Sequence, residues 1–172
     1  MKQIYLVLTD TGTILSKIIK IFMKDEYAHV SLALDKTLNP MYSFGRLNPY
    51  NAFRGGFVHE YIDKGTFKRF KNTKAIVMVI DVSDEQYEKI KSNILDFENN
   101  NKAFKFNTLG LFEVYFNIKR DKQNYLYCAE FVKYILENSD LNFDLPEIIR
   151  PEHFKDIQNS KIIYTGLLRE YK

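Results

Sequence analysis

The sequence predicts a single α+β domain spanning residues 1–172, with an antiparallel β-sheet or open barrel packed against helices. Three observations predict it. β-prone apolar runs crowd the first half of the chain, and helical spacings crowd the second. The third is size: 172 residues, 45% hydrophobic and 27% charged, suffice for one core and no more. With only 7 Gly and 4 Pro, collagen-like and low-complexity architectures are excluded.

The elements follow in order. Ile4 to Leu8 is a short apolar run that reads as a strand, and Asp10-Thr11-Gly12-Thr13 then supplies turn and cap chemistry. Behind it Ile14, Leu15, Ile18, Ile19 and Phe22 fall at helical spacing, which predicts a core-facing helix over 13–24. His29 to Leu34 and Met41 to Phe44 read as strands, the second closed by Gly45, with a loop from Arg46 to Gly56. A fourth strand runs from Phe57 to Ile62. Ala75 to Val82 is nearly unbroken in its apolarity and predicts a strand inside the sheet.

Ser83-Asp84-Glu85-Gln86 is a capping box opening a helix with Tyr87, Ile90, Ile94 and Phe97 on one face, ended by Asn99-Asn100-Asn101. The aromatic stretch 103–119 is ambiguous, with helical spacing through Leu109 to Tyr115. A further helix over Cys128 to Asn138 presents Phe131, Val132, Ile135 and Leu136 together. Pro151 starts a short helix as a first-turn proline, and Ile162 to Leu168 fits either a last helical turn or a strand.

Charge narrows the function classes. Twenty-five basic residues against 22 acidic leave a net charge of +3, too balanced for the concentrated positive face of a nucleic-acid binder. No apolar run approaches the roughly 18–20 residues of a membrane span, so no integral membrane segment is expected. The first ten residues lack the apolar stretch of roughly 7–15 residues and the cleavage site of a signal peptide, so a cytoplasmic location is expected. One cysteine removes any internal disulfide and any cysteine-based zinc site. Phosphate-loop, dinucleotide and HExxH motifs are absent, so no cofactor and no metal are expected.

Cys128, His29, His59 and His153 are the whole thiol and imidazole inventory. Cys128 opens a predicted helix, where free backbone N–H groups and the positive end of the dipole stabilise a thiolate. Those same groups could bind an oxyanion. The opposing reading is a buried structural thiol, the commonest state of a free cysteine. His29 starts a predicted strand, from which its ring could serve as a base toward a neighbouring helix terminus. A hydrogen-bonded structural role fits it equally. His59, mid-strand beside Glu60, and His153, in the first turn of the last helix, read as surface or structural residues.

In combination these segments resemble a known superfamily. Ala28-His29-Val30-Ser31-Leu32-Ala33-Leu34 resembles the strand-starting histidine motif of the NlpC-type papain-fold superfamily. Tyr125-Leu126-Tyr127-Cys128-Ala129-Glu130-Phe131-Val132 resembles its cysteine-containing helix start. Histidine before cysteine is the order of the circularly permuted branch, which includes the YiiX-like bacterial proteins and the lecithin:retinol acyltransferase-like enzymes. Met41 to Arg46 and Gly55 to Val58 are also similar to YiiX-like members. The likeness runs from about residue 3 to the end of the chain.

The resemblance implies a permuted papain-like fold and a cysteine hydrolase (amidase or peptidase) or acyltransferase. In it Cys128 is the nucleophile, His29 the base, and an acyl-thioester the intermediate that passes to water or an amine. It implies a peptide, amide or acyl-chain substrate, with the aromatic stretch from Phe104 to Tyr127 suited to an apolar cleft. A third polar residue on the strand after the histidine orients the imidazole in this family, and Ser43 is the polar residue at that place. Glu60, one strand further, is the alternative. The competing function is a non-catalytic binding module on the same scaffold, which a weak third residue would fit. The thiol is expected to be only partly buried, facing a cleft.

Overall fold

From Ile4 to Asp10 every residue of strand β1 (Lys2–Asp10) is buried. Its side chains alternate between two apolar clusters. Ile4, Leu6 and Leu8 join Val30, Leu32, Phe44, Met78 and Ile80, while Tyr5 and Val7 join Ala33, Met41, Ala75, Val77 and Leu168. Both faces of the sheet are therefore covered, which is why this antiparallel strand reads as a continuous apolar run.

The computed structural model describes residues 1–13, 25–100, 105–106 and 125–172. The helix expected over 13–24 and nearly all of the aromatic stretch 103–119 lie outside the described residues. Within them the chain is α+β, built on β1, β2 (His29–Ala33), β3 (Met41–Asn48), β4 (Asn51–Glu60), β5 (Lys74–Val82) and β8 (Ser160–Leu167). These six form an open sheet in the order β4-β3-β2-β1-β5-β8, with every neighbour antiparallel. Two short strands, β6 (Lys105–Phe106) and β7 (Tyr125–Leu126), pair in parallel apart from it.

Two departures from expectation, and the outcome of one open alternative, have physical causes. The loop expected over Arg46–Gly56 is a hairpin: β3 runs on through Gly45 and pairs it with Gly56, and Arg46 with Gly55, before the turn at Pro49–Tyr50. Glycine weakens a strand, yet here it permits close cross-strand approach. Of the two alternatives for Ile162 to Leu168, the strand holds through Leu167, because β8 ladders along β5 from Ser160 to Leu167, and Leu168 opens a 3-10 turn. A five-residue helix, α1 (Gly65–Arg69), follows β4 and sends Phe67 into the second cluster.

Helices α2 (Asp84–Asn99) and α3 (Cys128–Glu137) cover the other face. The capping box of α2 is formed: Ser83 Oγ accepts from Gln86 N at 3.0 Å, and Ser83 N donates to Gln86 Oε1 at 2.9 Å. Phe131 of α3 meets Phe97 of α2 edge to face at 5.1 Å between ring centroids, and Phe44 and Phe57 of the sheet each at 5.6 Å. Such pairs add about 0.5–1.5 kcal/mol each beyond burial, and they lock α3 onto β3 and β4. Among the described residues no helix is long and apolar enough to cross a membrane.

Candidate active site

Cys128 is the first residue of α3. Tyr127 before it is extended (φ −116°, ψ 176°), so the chain turns into the helix at the thiol. Glu130 secures that turn, its Oε2 accepting the backbone N–H of Tyr127 at 3.0 Å. The Tyr127 hydroxyl donates to the Ile149 carbonyl at 2.7 Å, a bond buried among apolar groups. Burial pushes the Tyr127 phenol far above its usual range, so it stays a neutral donor.

His29 is the first residue of β2 and lies opposite Thr9 of β1, with the preceding Ala28 N–H donating to the Thr9 carbonyl at 3.1 Å. Its Nε2 stands 3.1 Å from Glu60 Oε1 and 3.0 Å from Oε2, an ion-pair geometry with side chains only 19% and 10% exposed. Ser31 Oγ donates to Glu60 Oε2 at 2.6 Å and lies 3.3 Å from the same imidazole nitrogen. The Cys128 sulfur lies near enough to the imidazole to raise its pKa. Nε2 is committed to Glu60, which leaves Nδ1 as the second ring nitrogen.

Electrostatics follow the geometry. Burial opposes protonation of His29, but the Glu60 charge, the Cys128 sulfur and the hydrogen bonds to both outweigh it. The imidazole pKa lies well above the ordinary 6.5. Burial works to raise the Glu60 carboxyl, and the His29 charge, the His29 and Ser31 hydrogen bonds and Arg46 overcome it, leaving it below its ordinary 4.5. The pair is therefore a carboxylate facing an imidazolium.

Cys128 lies near enough to His29 to act on its charge, whereas the Ser43 hydroxyl is spent elsewhere. Ser43 is fully buried on β3, where its hydroxyl donates to the Val30 carbonyl at 2.7 Å. That carbonyl lies beyond the ladder of β2 and β3, which pairs Leu32 with Tyr42 and Ala33 with Met41, and the serine satisfies it. The expectation that Ser43 orients the imidazole is thus corrected in favour of Glu60. Glu60 reaches across because β3 carries Gly45 between them: a Cβ there would stand 3.2 Å from Glu60 Oε1 and 3.5 Å from the His29 ring. Ser43→Ala is expected to cost about 1–3 kcal/mol of stability by orphaning a buried carbonyl. Thermal melting beside any activity assay checks this, since activity per folded molecule should hold.

The thiol also departs from expectation, being 4% exposed within the core cluster rather than facing open solvent. Ser31 went unnoticed, although the two-residue strand period places it on the same face as His29. His59 pairs with Glu98 at 2.5 Å, and His153 Nδ1 accepts from Arg150 N at 3.1 Å, so both stand apart from Cys128. A cavity of about 410 Å³ is lined by Glu60 with Arg46, Val58, Tyr61, Lys64 and Phe67. Neither His29 nor Cys128 borders it. Among the described residues no group of three or more His, Cys, Asp or Glu side chains is arranged to hold a metal ion. Comparison with protein-family models and with curated proteins gives no match.

Proposed function

We propose that this protein is a cysteine hydrolase or acyltransferase on a permuted papain-like scaffold, acting on an amide or ester through an acyl-thioester. The observation that carries the reading is the imidazole of His29, held by a carboxylate at Nε2 and near enough to the helix-start sulfur of Cys128 for the sulfur to raise its pKa. Nucleophile, base and orienter stand in that order in thiol catalysis.

The chemistry follows from these groups. The proton of the reacting thiol rests on the charged His29 ring, and the Cys128 sulfur bonds to the substrate carbonyl carbon. The backbone N–H groups of the first turn of α3 offer the oxyanion its donors. As the tetrahedral species collapses, the imidazolium returns its proton to the departing amine or alcohol and the thioester remains. Water or an amine, deprotonated by the same imidazole, then attacks and releases the thiol. Glu60 fixes the ring's orientation and stabilises its charged form throughout, with Ser31 holding the carboxylate.

Alkylation tests this directly. Iodoacetamide is expected to modify native Cys128 at neutral pH, and His29→Ala to slow that reaction at least tenfold with no loss of fold. The burial of the thiol favours one other reading, a non-catalytic binding module. Under that reading native Cys128 resists alkylation and His29→Ala changes nothing.

A further inference from the structure

Cys128 and His29 belong to different elements, and nothing in either element alone sets their separation. Three of the four consecutive residues Ile149–Glu152 touch the approaches to both. On the cysteine side, the Ile149 carbonyl accepts the Tyr127 hydroxyl at 2.7 Å. On the histidine side, Arg150 Nη1 donates to Asp25 Oδ1 at 2.9 Å. Glu152 Oε2 accepts two successive backbone N–H groups, of Glu26 and Tyr27, each at 3.0 Å. Lys155 backs this contact, reaching Glu152 at 2.7 Å and Glu26 at 3.4 Å.

The segment that does this is itself anchored. Ile149 and Pro151 are buried, and Pro151 opens a 3-10 turn, Pro151–Asp156, that sinks Phe154 fully into the core. His153 closes the turn back on itself by accepting from Arg150 N. Glu152 stays ionised there: burial raises its carboxyl, while Lys155 and the two backbone N–H groups bring it below its ordinary value. This buried anchor thus grips the residue before the thiol and Asp25, Glu26 and Tyr27 ahead of the histidine strand.

We propose that Ile149–Glu152 is a brace that sets the spacing of Cys128 and His29, with Tyr127 and Glu152 as positioning residues. This rests on the reading of Cys128 and His29 as a working pair. The consequence is steep, because a misplacement of about 1 Å in a reacting pair can cost about a hundredfold in rate.

The test measures the thiol–imidazole coupling apart from turnover. NMR titration of the His29 ring is compared with and without Cys128→Ala, in the wild type and in Tyr127→Phe and Glu152→Gln backgrounds. In the wild type, removing the sulfur should lower the imidazole pKa. In the brace variants that response should shrink. For an acyl substrate, kcat should fall about tenfold with KM unchanged. The double variant should lose less than the product of the single losses, since both changes act through one element.

Tyr127→Phe removes a single oxygen and keeps the test open if Glu152→Gln folds poorly. Coupling that shrinks while no form of the protein turns over any acyl substrate supports the brace and defeats the hydrolase reading. Wild-type coupling and kcat in both variants, with only melting temperature lowered, overturns the brace.

Discussion

Cys128→Ala is expected to abolish acyl transfer, lowering kcat by about 10⁴-fold or more, as loss of the nucleophile does where the remaining groups act only through it. The fold should survive. The side chain is 4% exposed and packed in the core cluster, so its loss leaves a small void. One buried sulfur is less than the three carbons of Leu→Ala, which costs about 2–5 kcal/mol, so about 1 kcal/mol is expected. Thermal melting and turnover on one activated ester separate the two effects. A collapse of stability with intact residual turnover would assign Cys128 to the core alone.

Glu60→Gln should have the next largest effect, lowering kcat/KM by about 10²–10⁴-fold, because it removes both the ring's orienter and the charge that stabilises the imidazolium. The pH dependence carries a sign. Glu60 is one of the groups lifting the imidazole pKa well above 6.5. Activity that needs the charged ring is lost as pH rises through that value, so the alkaline limb of the rate profile should move down in Glu60→Gln. Stability follows the same groups. The contribution of His29 is complete below 6.5 and fades as pH rises through the elevated imidazole pKa. The contribution of Glu60 is complete above 4.5 and fades as pH falls through the lowered carboxyl pKa. Wild type should therefore exceed Glu60→Gln in stability by most between those two values. An unmoved alkaline limb would remove Glu60 from the catalytic unit.

What the sequence made legible was local. β1 and β5 show as apolar runs because the sheet is covered on both faces, and α2 announces itself through Ser83 and Gln86. The helix carrying Cys128 was readable from the stripe Phe131, Val132, Ile135 and Leu136, all fully buried. β8 was ambiguous because it is an edge strand whose Ile162 and Ile163 point to solvent, blurring the alternation. The third site residue was ambiguous for another reason. A polar residue on the next strand is the nearest candidate by count, but Ser43 is consumed by the Val30 carbonyl. Glu60 wins from two strands away only because Gly45 clears its path, and no periodicity encodes that approach. The hold of Glu152 on Glu26 and Tyr27 joins opposite ends of the chain and is legible only in the fold.

The central claim is that Cys128, His29 and Glu60 form one thiol-acylating unit. The most direct measurement is the mass of the intact protein quenched milliseconds to seconds after mixing with an activated acyl ester, followed by peptide mapping. The account predicts one acyl group, on Cys128, in the wild type. Its formation should be slowed by Glu60→Gln, slowed further by His29→Ala, and unchanged per folded molecule by Ser43→Ala. Acylation spread over lysines at the same rate in all four proteins, with Cys128 unmodified, would contradict it.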